Sequence, residues 1–284
     1  MEDEQITPPE VQIDDILQIN DSAFTDENVA VVTGGASGIG RATALALAAN
    51  GLTVAATDVD EDGLAGTSDR ATDLGVEGDL IEVPGDLTVD AEIEAIVERA
   101  ADLGKITYLL NIAGAQEISP IEEFSMEAYD RLHTIMLRAP LHLTKLCLPH
   151  MRESTDRRGC IGNMCSAHGH YVTGDKVAYN VSKFGLRGLT QSIAAEGDGK
   201  IRSFSVSTEY VKTPLVTNQI PDTAAQRGLS PQEVVSEVML SESRSTEMMA
   251  PVEVANLFTF GLSRHGRHLN GGDLCWDGGM TLTY

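Results

Sequence analysis

The sequence predicts an α/β fold, a single doubly wound domain with a seven-stranded parallel sheet, helices on both faces and a helical lid over the substrate. From Asn28 onward, short β-branched or aliphatic runs alternate with longer amphipathic stretches, a pattern typical of strands alternating with helices. Apolar runs without alternation, such as YLLNIAG, fit strands buried on both sides. No internal repeat or low-complexity linker divides the chain. We therefore expect one domain.

The expected elements follow in chain order. The apolar and β-branched runs predict seven strands, at Ala30–Thr33, Thr53–Thr57, Ile81–Val83, Tyr108–Asn111, Cys160–Cys165, Arg202–Ser207 and Asp273–Cys275. The amphipathic stretches between them predict six helices, at Gly38–Asn50, Glu61–Leu74, Asp90–Leu103, Met126–Met151, Ala178–Glu196 and Pro251–Leu262.

The chain divides into a short extension and one main unit. Residues 1–27 form an acidic N-terminal extension, and residues 28–284 form the predicted Rossmann-type domain. The extension contains a short apolar face, for which we weigh packing on the core, packing on a neighbouring subunit, and disorder. Residues 214–250 are longer than a simple crossover and contain the helix starts PDTAAQ and SPQEVV. Insertions after parallel strands cover the ligand crevice, so this segment is expected to be the lid.

Composition excludes several classes of protein. The 284 residues carry 43 Asp and Glu against 20 Lys and Arg, a formal net charge of -23, which argues against a nucleic-acid partner. No apolar run approaches the roughly 20 residues that span a bilayer, so no membrane association is expected. Nine acidic and no basic residues precede Asn28, unlike a secretory signal, and we expect a cytoplasmic protein.

The acidic excess also bears on habitat. It resembles the surfaces of proteins from high-salt cytoplasms, where ionic screening relieves self-repulsion. The alternative is an ordinary acidic protein. Stability measured against KCl separates the two hypotheses.

The four cysteines predict neither a disulfide scaffold nor a metal centre. Cys147, Cys160, Cys165 and Cys275 form no C-x-x-C pair and show no metal-ligand spacing. We expect them to be reduced and mostly buried.

A glycine-rich turn follows the first strand. Thr33-Gly34-Gly35-Ala36-Ser37-Gly38-Ile39-Gly40 opens directly into the helix RATALALAAN. Glycines allow backbone to approach a pyrophosphate closely, and the helix N-terminus offers unpaired N–H groups and partial positive charge. The turn therefore predicts a dinucleotide site that includes Gly34, Ser37, Gly38, Ile39 and Gly40.

Asp58 closes the second strand, eighteen residues after Gly40. A carboxylate at this place accepts hydrogen bonds from the adenosine ribose hydroxyls and repels a 2′-phosphate. The sequence therefore predicts NAD rather than NADP. Arg41, the basic residue nearby, is expected to serve helix and surface contacts.

A second motif predicts acid–base chemistry. Tyr179 and Lys183 stand four residues apart, hence on one helix face. An ammonium near the phenol, helped by an oxidised nicotinamide, would lower the tyrosine pKa from about 10 towards working pH. Such a tyrosine can exchange a proton with a substrate hydroxyl or carbonyl. Ser166, at the end of the fifth strand, would hydrogen-bond the same substrate oxygen.

With these motifs together, the chain resembles the short-chain dehydrogenase/reductase family from about residue 28 to its end. The features that carry the resemblance are TGGASGIG, PGDLT, NIAG at 111–114, Ser166, Tyr179 with Lys183, VKTP at 211–214 and WDGG at 276–279. It implies hydride transfer between nicotinamide and a secondary alcohol or ketone, and a homotetramer. It also implies these cofactor contacts: Asp86, Leu87, Asn111, Ala113, Gly114, Tyr179, Lys183, Val211 and Thr213.

Within that family, the segments AGAQEISPIEEF, SAHG, DKVAY and KTPLVTNQI are similar to those around the substrate pocket of the branch that acts on D-3-hydroxybutyrate. The resemblance implies that Gln116, His168, Lys176 and Gln219 grip a substrate carboxylate, with Ser166 and Tyr179 at the reacting oxygen. A molecule of this net charge repels an anion unless a local cation and directed donors stand at the site. Lys176 and His168 are the expected sources of that charge.

Several positions depart from the family pattern. Met136 stands where the family usually places a catalytic asparagine, and a thioether cannot replace the hydrogen bonds of an amide. Thr208-Glu209 replaces a Pro-Gly beside the nicotinamide. Phe204 and Ile112 replace asparagines in the sixth strand and in NIAG.

The sequence thus favours an NAD-dependent dehydrogenase of a small anionic 3-hydroxy acid, with (R)-3-hydroxybutyrate as the simplest substrate and acetoacetate as product. One alternative is a reductase of 3-oxoacyl thioesters on the same scaffold. The other is a cofactor-binding protein with little turnover, which Met136 and Glu209 suggest.

Overall fold

Seven parallel strands form one sheet in a computed structural model of the chain, which describes residues 6–153, 159–245 and 247–282. The strand order is β3-β2-β1-β4-β5-β6-β7. This order reverses between β1 and β4, where a crevice opens at the carboxyl ends of the strands. The strands are β1 (Asn28–Thr33), β2 (Thr53–Thr57), β3 (Leu80–Glu82), β4 (Lys105–Asn111), β5 (Gly159–Met164), β6 (Ile201–Thr208) and β7 (Asp273–Trp276).

Helices cover both faces of the sheet, as predicted. They are α1 (Gly38–Ala49), α2 (Glu61–Leu74), α3 (Asp90–Leu103), α4 (Met126–His133), α5 (Ala139–Glu153), α6 (Val177–Glu196), α7 (Pro214–Thr217), α8 (Ile220–Arg227), α9 (Pro231–Glu233) and α10 (Pro251–Leu262). Within the described residues, no helix combines the length and the apolar character needed to cross a bilayer.

Alternate residues of the strands enter two separate cores. In β1, Ala30 and Val32 pack with side chains of α1 and α10, whereas Val29 and Val31 pack with α3, α5 and α6. Successive side chains of a strand point to opposite faces, so each strand serves both cores. This explains the unalternating apolar runs in the sequence. Three of the cysteines, Cys147, Cys160 and Cys165, are buried and free, and Cys275 is exposed and free.

The predicted helix over Met126–Met151 is interrupted. Between α4 and α5, residues Thr134–Arg138 form a π turn. Such turns insert one residue into an α-helix and are frequent at functional sites. Apolar periodicity does not reveal them, because the side chains on either side of the turn still face the core.

The lid segment contains both of the helix starts that the sequence indicated, at α8 and α9. Ser230 caps α9, where its hydroxyl accepts a hydrogen bond from the Glu233 N–H at 3.3 Å while Glu233 accepts one from the Ser230 N–H at 2.7 Å. A π turn over Val234–Met239 follows. The lid has its own apolar cluster, which includes Ile220, Val234 and Val235.

The described part of the N-terminal extension lies on the core. Val11 and Ile16 pack against α1 and α10. The Leu17 N–H donates to the Asn256 side chain at 2.8 Å, and the Asn50 side chain donates to the Leu17 carbonyl at 2.9 Å. The extension therefore joins the first helix to the last.

Candidate active site

A cavity of about 440 Å³ opens at the carboxyl ends of the strands. Its lining comes from the segments that follow β1, β2, β3, β4, β5 and β6, together with α4, α6 and the start of the lid. The cavity is in the size range of small-molecule sites. Its position at the switch point of the sheet is where open α/β folds bind ligands.

The glycine turn forms one wall of this cavity. Gly34 and Gly38 have φ angles of +75° and +52°. A Cβ on Gly34 would lie 3.1 Å from the Ala113 backbone, and one on Gly40 would lie 2.0 Å from the Gly34 carbonyl oxygen. Larger residues at these positions would break the packing of β1, α1 and the loop after β4. The first turn of α1, with its free N–H groups, lines the cavity and is suited to an anion.

Asp58 lies at the cavity wall at the end of β2. Its carboxylate accepts hydrogen bonds from the backbone N–H groups of Ala36 and Asp60, both at 3.2 Å, which fix the side chain beside the glycine turn. Arg41 points elsewhere: its guanidinium donates to the carbonyl of Ala36, to that of Gly63 at 3.0 Å and to the Thr67 hydroxyl at 3.0 Å. Arg41 therefore serves structural contacts, as expected.

The strip of cavity after β3 and β4 contains four predicted cofactor contacts, namely Asp86, Leu87, Ala113 and Gly114. Thr33 sets the position of this loop, because its hydroxyl accepts hydrogen bonds from the Ile112 and Ala113 N–H groups at 2.9 and 3.0 Å. Sequence reasoning gave Thr33 no role of its own. A hydroxyl side chain at the end of a buried strand was the feature of the sequence that could have indicated this role.

Asn111 lies inside the sheet rather than at the cavity. Its side-chain nitrogen donates to the Asn163 side-chain oxygen at 2.8 Å, across β4 and β5. The other predicted cofactor contacts, Val211 and Thr213, line the cavity beside the start of α7.

The three predicted catalytic residues converge on the cavity. Lys183 is only 3% exposed, and its ammonium donates to the Met164 carbonyl at 2.7 Å. The Lys183 Nζ lies 5.3 Å from the centre of the Tyr179 ring. Ser166 follows β5, and its hydroxyl hydrogen-bonds the Tyr179 phenol. The structure thus places a phenol, a hydroxyl and an ammonium at one end of the cavity.

The direction of the Tyr179 pKa differs from the sequence expectation. Burial raises the pKa of Tyr179 to about 12, and the hydrogen bond from Ser166 opposes this only in part. Burial also lowers the pKa of Lys183 to about 8. Removing both groups from water disfavours phenolate and ammonium alike. The lysine alone therefore does not bring the tyrosine to working pH.

Of the four residues expected at the substrate carboxylate, Gln116 and Lys176 lie on loops that meet. The Ser119 N–H donates to the Asp175 carbonyl at 2.9 Å, which joins the loop after β4 to the segment before α6. The Gln116 side-chain nitrogen is buried and has no hydrogen-bond partner among the described residues. The Lys176 ammonium lies 5.7 Å from the centre of the Tyr210 ring, and burial lowers its pKa.

His168 lies beside the catalytic tyrosine but is not a cation. Its ring meets the Tyr179 ring edge-on at 5.8 Å, and its Nε2 hydrogen-bonds the Thr173 hydroxyl at 2.9 Å. Burial, helped by the charge of Lys176, lowers the pKa of His168 to about 4. At neutral pH it is a neutral hydrogen-bonding group, so the expected positive charge falls to Lys176.

Gln219 is turned away from that group. Its side-chain nitrogen donates to the Leu215 carbonyl one turn back along the chain. None of Gln116, His168, Lys176 and Gln219 lines the main cavity.

The departures from the family pattern have different structural roles. Met136 lies in the π turn, is 1% exposed and packs with Leu132 and Ala178. Phe204 is fully buried against Phe258 and Gly261, on the α10 face of β6, so it belongs to the core and not to the site.

Thr208 and Glu209 line the cavity. Glu209 is 8% exposed, and burial raises its pKa. Hydrogen bonds from Ser243 and Ser245 act in the opposite direction but do not cancel this effect. A Cβ on Gly278 would lie 2.6 Å from the Glu209 carboxylate. Glu209 therefore ties the end of β6 to the lid and to the WDGG loop.

Arg131 and Ile135 also line the cavity, and sequence reasoning missed them. They stand four residues apart on the helical stretch that leads to Met136, so they share a face. That spacing was the signal that could have found them.

The geometry fits a nicotinamide dinucleotide. The cavity joins a Cβ-free cradle at Gly34 and Gly38 to a fixed carboxylate at Asp58 and to the phenol of Tyr179. The cradle suits a pyrophosphate, and the carboxylate suits ribose hydroxyls.

Comparisons with known proteins agree with this geometry. A family model described as short chain dehydrogenase matches residues 28–224. D-beta-hydroxybutyrate dehydrogenase of Rhizobium meliloti (strain 1021) is 33% identical over 255 residues, 89% of this chain and 98% of the relative. The 3-oxoacyl-[acyl-carrier-protein] reductase of Thermotoga maritima is 29% identical over 256 residues, 89% of this chain and 98% of the relative.

A crystal structure of levodione reductase matches with a TM-score of 0.84 at 29% identity, over 92% of this chain and all of the solved one. The fold, the glycine cradle, the Ser166, Tyr179 and Lys183 group and the matches to family and relatives all agree. The chain belongs to the short chain dehydrogenase family and has the fold and site of a nicotinamide-dependent oxidoreductase.

Proposed function

We propose that the protein is an NAD-dependent dehydrogenase of a small 3-hydroxy acid, most simply (R)-3-hydroxybutyrate, which it converts to acetoacetate. The observation that carries the substrate class is the buried, unpartnered side-chain nitrogen of Gln116 on a loop that meets the Lys176 segment. A buried donor without a partner is costly, and Gln116 directly follows Ala115, which lines the cavity, so a substrate carboxylate extending from the cavity would satisfy the donor. The likeness to a D-beta-hydroxybutyrate dehydrogenase supports the same class.

The preference for NAD rests on Asp58. Its carboxylate is fixed by two backbone N–H groups, while Arg41 is engaged with carbonyl groups and the Thr67 hydroxyl. A fixed negative charge at the ribose end would repel a 2′-phosphate.

The reaction divides its tasks among three side chains. Nicotinamide, when bound, supplies the carbon that accepts the hydride from the substrate carbinol. Ser166 hydrogen-bonds the substrate oxygen, and Tyr179 takes the hydroxyl proton as general base. Lys183 is held by the Met164 carbonyl, where it binds ribose and favours the phenolate form of Tyr179.

The alternative on the same scaffold is reduction of a 3-oxoacyl thioester, which the likeness to the Thermotoga maritima reductase favours. The two substrates make different demands. A small acid needs a cation near its pocket, and Lys176, although it does not line the main cavity, is half-buried with its ammonium over Tyr210. A carrier-bound substrate needs a basic docking surface, which a chain of net charge -23 is poorly suited to offer.

Steady-state kinetics test the proposal. Reduction of NAD at 340 nm is followed with (R)-3-hydroxybutyrate, its S enantiomer and an uncharged secondary alcohol, and oxidation of NADH is followed with acetoacetyl thioesters. We expect the highest kcat/KM with the R acid. A higher value with the thioester would replace the proposal, and binding of NAD without turnover on any substrate would favour the third alternative, which Met136 suggests.

A further inference from the structure

Three metal-ligating side chains meet at the edge of the sheet, behind the catalytic segment. His170 follows β5, and Asp273 and Cys275 belong to β7. One ligand atom from each lies within 4.8 Å of the other two. Because Asp273 and Cys275 are two residues apart on a strand, their side chains share a face. The cluster unites segments 103 residues apart, which explains why cysteine spacing in the sequence did not reveal it.

Neighbouring serines already orient the carboxylate of this cluster. One oxygen of Asp273 accepts hydrogen bonds from the Ser205 hydroxyl at 2.5 Å and the Ser207 hydroxyl at 3.0 Å. The other oxygen faces the His170 Nε2 at 2.8 Å. Hydrogen bonds that hold a ligating carboxylate raise metal affinity, because they fix its orientation before the metal arrives.

The cluster is partly open to solvent. The His170 side chain is 23% exposed and that of Asp273 is 12% exposed, while Cys275 lies at the surface. An ion can therefore enter from the side of Cys275 and be held by the more buried pair.

We propose that His170, Asp273 and Cys275 form a zinc site. Thiolate, imidazole and carboxylate together are the ligands of Zn²⁺, whereas Mg²⁺ and Ca²⁺ take oxygen ligands. Three protein ligands leave the fourth tetrahedral position to water. Ligand atoms around Zn²⁺ stand about 3.5 Å apart, so small side-chain rotations close the cluster onto the ion.

Binding changes the protonation of the ligands in a defined way. Zinc would bind the His170 Nε2 that faces Asp273, and in the bound form the imidazole would carry its single proton on Nδ1. The Cys275 thiol loses its proton to solvent.

The site is linked to the catalytic segment through His170. The His170 N–H donates to the Ala167 carbonyl at 2.8 Å, and Ala167 directly follows Ser166 in the chain. Zinc therefore fastens the turn that carries Ser166 to the edge strand. We expect the metal to act as a stabilising group on that turn and to take no part in hydride transfer.

Titration of the full chain with Co²⁺ at pH 8 tests the proposal, because Co²⁺ bound in place of Zn²⁺ absorbs light and can be followed by its spectrum. We expect a near-ultraviolet Co²⁺–thiolate band at one equivalent, its loss in Cys275→Ser, and a weakening of affinity by at least tenfold in His170→Gln. Zn²⁺ should abolish the band and raise the Tm of the wild type. His268→Gln, at an exposed histidine outside the cluster, should behave as wild type.

The variants remain informative whatever their stability, because melting curves without metal report folding separately. Absence of the thiolate band in folded wild-type protein would overturn the proposal. A band of unchanged strength in Cys275→Ser would also overturn it, since another thiol would then hold the ion.

Discussion

Met136 and Tyr179 pack in the same small apolar cluster, with Leu132 and Ala178 between the π turn and α6. The position at which the family usually places a hydrogen-bonding amide is thus occupied by a buried thioether against the ring of the proposed base. A thioether fills irregular apolar space well and is only a weak acceptor. The tyrosine therefore has an apolar neighbour where the family pattern has a hydrogen-bonding one.

Met136→Asn is expected to destabilise the protein. The amide would lose apolar burial and would lack hydrogen-bond partners, at a cost of roughly 1–3 kcal/mol. Urea unfolding measures this, with Met136→Leu as the control of similar volume. An increase in kcat without loss of stability would indicate an incomplete proton relay that the amide completes.

Tyr179→Phe should remove most turnover and leave NADH binding nearly intact, because only the proton-transferring oxygen is lost. General acid–base groups contribute about a hundred- to ten-thousandfold in rate. Stopped-flow kinetics and NADH fluorescence give the two readouts. Wild-type turnover in this variant would place the base elsewhere.

Asp58→Ala should weaken NADH binding about ten- to hundredfold and relax discrimination against NADPH, since one charged hydrogen bond is worth about 1.5–3 kcal/mol. Asp62→Ala, which removes the same charge from an exposed position on α2, is the matched control. Dissociation constants for both cofactors measure the effect. An unchanged preference would remove Asp58 from the cofactor site.

Lys176→Ala should raise the KM for 3-hydroxybutyrate far more than the KM for an uncharged secondary alcohol of similar size. The substrate carboxylate keeps nearly the same charge from ground state to transition state, so Lys176 would bind both states about equally. Loss of such binding raises KM more than it lowers kcat. Lys200→Ala removes an equal charge from an exposed turn and serves as control. Equal effects on both substrates would return Lys176 to a structural role.

His168 should make stability depend on pH below neutrality. Its pKa falls from an ordinary 6.5 to about 4 on folding, so between these values the unfolded chain binds the extra proton. The free energy of unfolding therefore loses up to roughly 3 kcal/mol from this group as the pH falls from 6.5 towards 4. Denaturant unfolding of wild type and His168→Gln isolates the contribution as their difference. An NMR titration of His168 near pH 6.5 would contradict it.

The features that sequence predicted well are those set by local spacing. Glycines before a helix and a carboxylate at a strand end fix their own geometry, so the cradle at Gly34 and the placement of Asp58 followed from the chain. Phe204 is one of the departures from the family pattern, but the alternation of β6 turns its side chain towards α10 and the core, away from the site. The bond between Asn111 and Asn163 and the meeting of His170 with Asp273 depend on tertiary packing. No spacing within the sequence encodes them.

The N-terminal extension constrains when the fold can be completed during synthesis. Leu17 bonds to Asn256, 239 residues later, so this segment is synthesised well before its partner. Until α10 emerges, the outer face of α1 and the apolar side chains of Val11 and Ile16 lack their final cover. Pairings of such separation are entropically slow to form, and exposed apolar surface favours aggregation in the meantime. The contact between Leu17 and Asn256 is therefore expected to form late in folding.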